Sequence, residues 1–281
     1  MKGLGNSLHI LAPVILAGIL LSASSCKKAK TYNLGPDLNV ANDIVITQRI
    51  VVNTFRMLVR AAADPALTQT HQAFFDGASV IYNPALEKYT FFYYGIYSPD
   101  SVLRSGSIEA VLSGDLFASG TRAEIRFLDY SEDGMPVTGT DSVFNTGPSA
   151  TGLTFENRVS SGLVIKDTVG TIAFSAGFAF TLDPPLPPDA AASMLVTGNL
   201  DGVSSKGFPF SATISDPLES AVYTGVCPWT RSGLMVVSMS NSTGNADGIY
   251  FPEPSSCNDS VYYDFGVTTY KWRMKPKYLS H

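Results

Sequence analysis

Three histidines stand in the 281-residue chain, His9, His71 and His281. Imidazole is the usual carrier of protons near neutral pH, so its scarcity limits the chemistry available. His9 falls in an apolar leader and His281 is the last residue, where order is not expected. His71 has no second His or Cys near it in sequence and reads as a surface or interface residue. A histidine triad or a His-rich zinc site is therefore not expected. Beyond the leader there is no GxSxG, HExxH, P-loop or GxGxxG pattern. Carboxylate pairs are the remaining route to catalysis, and glycoside hydrolysis would need two of them about 5–9 Å apart. Candidates are Glu124, Asp129, Glu132, Asp133, Asp141, Glu156 and Asp264. Most sit at turn signals or on charged strand faces, where a solvated role is the plainer reading. Asp264, between Tyr263 and Phe265, is either a buried carboxylate or turned outward by alternation. The run Asp129 to Gly134 has oxygen ligands and a Gly turn but not the twelve-residue spacing of a calcium loop. The expectation is a chain with no catalytic residues, no metal and no cofactor.

Aromatic residues are a stronger feature. Phe91, Phe92, Tyr93, Tyr94 and Tyr97 cluster in one segment, and Tyr262, Tyr263, Tyr270 and Trp272 in another. Neighbours along a strand face opposite ways, so one of each consecutive pair can be exposed. Exposed rings suit sugar and peptide ligands; the alternative is a sheet covered on both sides. Tyr94 and Trp272 are the candidate ring contacts.

The N-terminus has a short head with Lys2, an apolar run Ile10 to Leu21, and small residues ending at Cys26. This is a secretory layout, and an apolar run of about 12 residues is too short to span a bilayer. The segment resembles a bacterial lipoprotein signal, with Leu21-Ser22-Ala23-Ser24-Ser25-Cys26 as its lipobox; Ala23 stands where a large aliphatic residue is usual. The resemblance implies cleavage after Ser25, a diacylglyceryl group on Cys26 and a third chain on its amine. Several chains anchor almost permanently. Lys27, Lys28 and Lys30 then lie beside anionic head groups. By analogy with lipoprotein sorting, Lys27 favours the outer membrane, and the lack of acidic residues there favours its periplasmic leaflet over the cell surface. The membrane, through the lipid, is the one partner so implied; protein, glycan and lipid all stay open as ligands.

Processing removes one basic residue and leaves 256 residues with a net charge of −6. That mild acidity argues against nucleic acid. With Cys26 lipidated, Cys227 and Cys257 remain. In an oxidising compartment they can pair, closing a loop worth roughly 3–4 kcal/mol; the alternative is two separate buried thiols.

Charged residues are 15% of the chain, aromatic residues 11%, and there are 24 Gly, a β-rich balance. Residues 26–41 lack periodicity and read as a flexible tether. Asn42 or Asp43 caps a helix in which Ile44, Gln48, Val51, Phe55, Leu58 and Ala62 recur at three and four until Pro65. A short helix over Leu67–Phe75 completes a helical segment, 42–76. From 77 to 273 the pattern is strands: 79–83, 89–94, 106–113, 122–127, 135–144, 151–158, 161–167, 171–182, 193–201, 207–214, 232–240, 246–252 and 259–272. Turn signals are Asp133-Gly134, Asp201-Gly202 and Asp247-Gly248. Ile172, Phe174, Ala176, Phe178, Phe180 and Leu182 share one face of the clearest strand. Asp183 to Asp189 is a stiff, proline-rich excursion. The fold expected is mainly β, an antiparallel meander forming a curled sheet, open barrel or sandwich. The long helix packs on it as one unit, and 274–281 is a tail.

With its stretches Arg104 to Ile108, Asp129-Tyr130 with Asp133-Gly134 and Val137 to Thr140, and Thr197-Gly198 through Lys206-Gly207, the chain resembles a family of envelope lipoproteins of Bacteroidota-type bacteria. The most specific stretch of the resemblance runs from Pro217-Leu218 through Cys227-Pro-Trp229, Ser232-Gly233, Asp247-Gly248 and Cys257-Asn-Asp259 to Phe265-Gly266. It implies architecture and location, and no activity. Three functions follow as expectations. The first is a non-enzymatic, membrane-anchored scaffold or binding module. The second is a carrier or chaperone for an apolar ligand held against Phe174, Phe178 and Phe180. The third is a carboxylate-based glycan hydrolase.

Overall fold

The computed structural model describes residues 36–166, 170–189, 191–239, 247–251, 257–265 and 268–274. The expected leader, the expected lipid-attachment residue Cys26, and His281 lie outside them. A long helix, α1 (Pro36–Ala63), is followed by a short one, α2 (Pro65–Thr70). Fourteen strands follow: β1 (Gln72–Phe75), β2 (Ala78–Asn83), β3 (Lys88–Tyr97), β4 (Leu103–Leu112), β5 (Arg122–Glu132), β6 (Met135–Pro148) and β7 (Leu153–Ile165), then β8 (Thr171–Leu182), β9 (Ser193–Val203), β10 (Pro209–Ala221), β11 (Thr230–Met239), β12 (Asp247–Phe251), β13 (Ser260–Phe265) and β14 (Thr268–Arg273). They form one sheet in which every strand pairs antiparallel with the next in sequence. The mainly-β curled meander with one long helix is therefore present.

The helix is more deeply placed than a single apolar stripe suggests. Between Val40 and Val59 only Asn42 and Asn53 escape full burial. Val45, Ile46, Ile50, Val52, Met57 and Val59 lie off the Ile44–Ala62 stripe, and they are buried too. A helix apolar all round belongs inside a core, and here the sheet curls about it. Phe55 stacks on Phe180 of β8 at 4.0 Å and meets the edge of Phe155 of β7 at 5.3 Å. Beta bulges sharpen the curl. At one of them Gly106 has φ +83°, and a Cβ there would sit 2.1 Å from the backbone oxygen of Asp129.

Several boundaries differ from the sequence reading. The helix starts at Pro36, ahead of the expected cap, because Pro suits a first helical turn. Asp43, inside the helix, does not cap it: it accepts from Lys166 Nζ, Ser205 N and Ser205 Oγ, each at 2.7 Å. Residues 72–75 are β1 rather than helix, since Asp76-Gly77, with φ 52° and 78°, makes a two-residue hairpin turn. Asp133-Gly134 does the same, as expected. Asp201-Gly202 and Asp247-Gly248 lie within β9 and β12, not in turns. The segments 151–158 and 161–167 merge into β7 across a bulge near Ser161, and 259–272 divides into β13 and β14.

Candidate functional site

The mouth of the curled sheet, beside the C-terminal end of α1, opens as a cleft of about 640 Å³. Its walls come from four places: Ala62 and Thr68 of the helices; Tyr82, Glu87 and Tyr89 of the β2–β3 hairpin; Leu112 at the end of β4 with Gly114, Asp115, Leu116 and Phe117 beyond it; and Leu186-Pro187 of the proline-rich excursion. The hairpin sets Tyr82 directly opposite Tyr89, and the two rings stack at 4.6 Å. Burial, followed by Tyr82 and Asp115, pushes the Tyr89 phenol up to about 12, so it stays a neutral hydroxyl. Asp115 holds the floor loop by accepting from the Phe117 amide at 3.0 Å. Glu87 holds the rim, its backbone oxygen accepting from the Leu112 amide at 2.9 Å. The result is an aromatic, partly apolar recess with carboxylates at its border.

A second polar cluster is sealed inside. Arg104 donates to both oxygens of Asp100, at 2.8 and 2.6 Å, and to Glu132 at 2.9 Å. Arg49 of α1 reaches the other Glu132 oxygen at 2.9 Å, and Tyr130 donates to Glu132 at 2.9 Å. Burial opposes the Glu132 charge, but Arg104 and Arg49 outweigh it and hold the carboxyl below its ordinary range. Two guanidiniums and two carboxylates thus neutralise each other, and the group ties α1 to β4 and β5. The adjoining cavity, about 20 Å³, holds no more than a water-sized molecule.

The other predicted carboxylates are dispersed. Glu124 pairs with Arg122, and Glu156 with Arg158, on the outer face. Asp129, with φ 49°, sits in the bulge opposite Gly106, and Asp133 accepts from the Leu103 amide at 3.0 Å. Asp141 is buried against Asn157, whose Nδ2 donates to it at 2.7 Å. Asp264 accepts from Thr269 of β14 at 2.5 Å. His71 ends α2, with its Nδ1 3.2 Å from the Leu67 oxygen. Among the described residues, no three His, Cys, Asp or Glu side chains group so as to hold a metal ion.

The five proposed ligand contacts do not meet. Phe174, Phe178 and Phe180 are core residues facing the curl's interior. Tyr94, 69% exposed, points outward from β3, while Trp272 of β14 packs edge-on against Tyr263 at 6.4 Å. Cys227 and Cys257 are joined as a disulfide with Cα atoms 5.5 Å apart. The cleft residues Tyr82, Glu87, Tyr89, Asp115 and Phe117 were not singled out from the sequence. Two tyrosines flanking a Pro84 turn were the available signal, because a hairpin there must place them face to face.

No protein-family model, no curated protein and no solved structure matches this chain.

Proposed function

We propose that the chain is a non-enzymatic binding module of the cell envelope, anchored in the outer membrane by lipid on Cys26 and facing the periplasm, with its ligand held in the mouth cleft. One observation carries the ligand site: a recess of about 640 Å³, aromatic and apolar with a few polar groups, lies in the usual size range for small-ligand sites. The non-enzymatic part is supported by Glu132 and Asp43, whose oxygens are committed to Arg49, Arg104, Lys166 and Ser205. Because α1 occupies the curl and Phe55 lies on Phe180, the ligand is assigned to the mouth cleft rather than to Phe174, Phe178 and Phe180.

Two measurements test this reading. Native mass spectrometry of the protein released from its own envelope should show a bound small molecule that Thr68→Trp displaces. A ligand that stays bound in that variant would place binding elsewhere. Cys26→Ser should yield an unacylated protein; acyl mass persisting in that variant would overturn the anchor.

A further inference from the structure

We propose that the mouth cleft selects a small organic cation, an amine or quaternary ammonium group carried on an apolar body. The proposal rests on reading that cleft as the ligand site and adds the class of ligand. No Lys, Arg or His side chain is among the residues that line it. Glu87 and Asp115, both exposed at its border, have no ion-pair partner among the described residues. Asp43, Asp76, Asp100, Glu109, Glu132 and Glu219, by contrast, each face an Arg or Lys. Within the cleft, no lining residue compensates the charge of Glu87 and Asp115.

The rings act in the same direction. Tyr82 and Phe117, both half-buried in the lining, supply negative π-faces, which attract cations in addition to the carboxylates, while Tyr89 is buried and stacks on Tyr82. Leu112, Leu116, Leu186 and Pro187 supply the apolar wall for the body of the ligand. A neutral sugar would leave both charges without a counterpart, and an anion would be repelled by them.

The experiment is calorimetric titration of the processed, lipid-bearing protein in neutral detergent with four probes: benzyltrimethylammonium, benzyl alcohol, benzoate and methyl glucoside. The ammonium should bind about tenfold more tightly than the alcohol, as expected for exposed charge and cation–π contacts. Benzoate and the glucoside should give no saturable heat. The double variant Glu87→Gln, Asp115→Asn keeps the backbone contacts, since Asn can still accept from the Phe117 amide. It should weaken the ammonium about tenfold and remove its salt dependence. Equal binding of ammonium and alcohol, saturable benzoate binding, or unchanged affinity in the double variant would each overturn the inference. So would silence from all four probes. Glucoside binding that Thr68→Trp abolishes would overturn the cation class while leaving the cleft as the ligand site. Ammonium binding that survives Thr68→Trp would overturn both.

Discussion

The Arg56 guanidinium, buried in the middle of the helix, donates to the backbone oxygen of Cys227 at 2.9 Å. It also donates to the oxygens of Ala221 and Pro228, each at 2.8 Å, and to Asn53 Oδ1 at 2.9 Å. This arginine therefore serves carbonyls rather than a carboxylate. Burial draws its pKa down to about 10, still far above neutral, so it remains charged. The segment it holds also carries the disulfide, so helix and bridge fix one loop from two sides.

Arg56→Met should expose this role. Three inward carbonyls would lose their donors, at roughly 1–3 kcal/mol for each group left unsatisfied. Urea unfolding followed by circular dichroism should show at least about 3 kcal/mol lost. A variant within about 0.5 kcal/mol of the parent would mean that the loop is held by something else.

The bridge makes a separate contribution. Cys227→Ser with Cys257→Ser should lower stability by about 3–4 kcal/mol, the loop-closure value for a 30-residue separation. Alkylation of the protein isolated from cells without reductant should leave both thiols unlabelled. Labelling of both would show that the bridge does not form in the cell.

Phe55→Ala removes the ring between β7 and β8. The loss should be about 3–5 kcal/mol, the range for a large aromatic deleted from a packed core. Scanning calorimetry is the direct measurement, and a change under about 1 kcal/mol would mean that the curl collapses onto the gap.

Legibility in the sequence followed the physics of each element. The period-two pattern of β8 was fully readable, because Ile172 to Leu182 alternate without interruption and the alternate residues are all buried. The helix was readable as a helix but not as an enclosed one. Its polar residues Asp43, Arg49 and Arg56 look solvated until their partners arrive from Lys166, Glu132 and Cys227, far away in sequence. The hairpin at Asp76-Gly77 was hidden because Phe74 and Phe75 also continue a helical apolar pattern. The cleft was least legible of all. It is assembled from four separate segments whose loops carry no periodicity, and only the Tyr82–Tyr89 pairing had a local cause.

Asp141 gives a pH signature opposite in sign to that of Glu132 and Asp100. Burial pushes its pKa up to about 7, against only the hydrogen bonds from Asn157 and the Ser142 backbone. Its Oδ2 and the Oδ1 of Asn157 are both buried and lack hydrogen-bond partners among the described residues. A proton on Asp141 would supply a donor where there are now two acceptors. Unfolded, the same acid titrates near its ordinary value of about 3.9. Below that value both states are protonated and the neutral acid is at no disadvantage. As pH rises from about 4 to 7, the unfolded state releases its proton first, so stability falls, by up to about 4 kcal/mol in total. Glu132 and Asp100 act the other way, because their depressed values add stability that is lost as pH drops through the acid range. The difference between parent and Asp141→Asn isolates the first effect. The amide variant should match the parent near pH 4 and exceed it increasingly up to pH 7, then run parallel to it. Parallel curves across the whole window, measured by urea midpoints, would show that Asp141 titrates in the folded protein as it does in the unfolded chain, and would overturn the prediction.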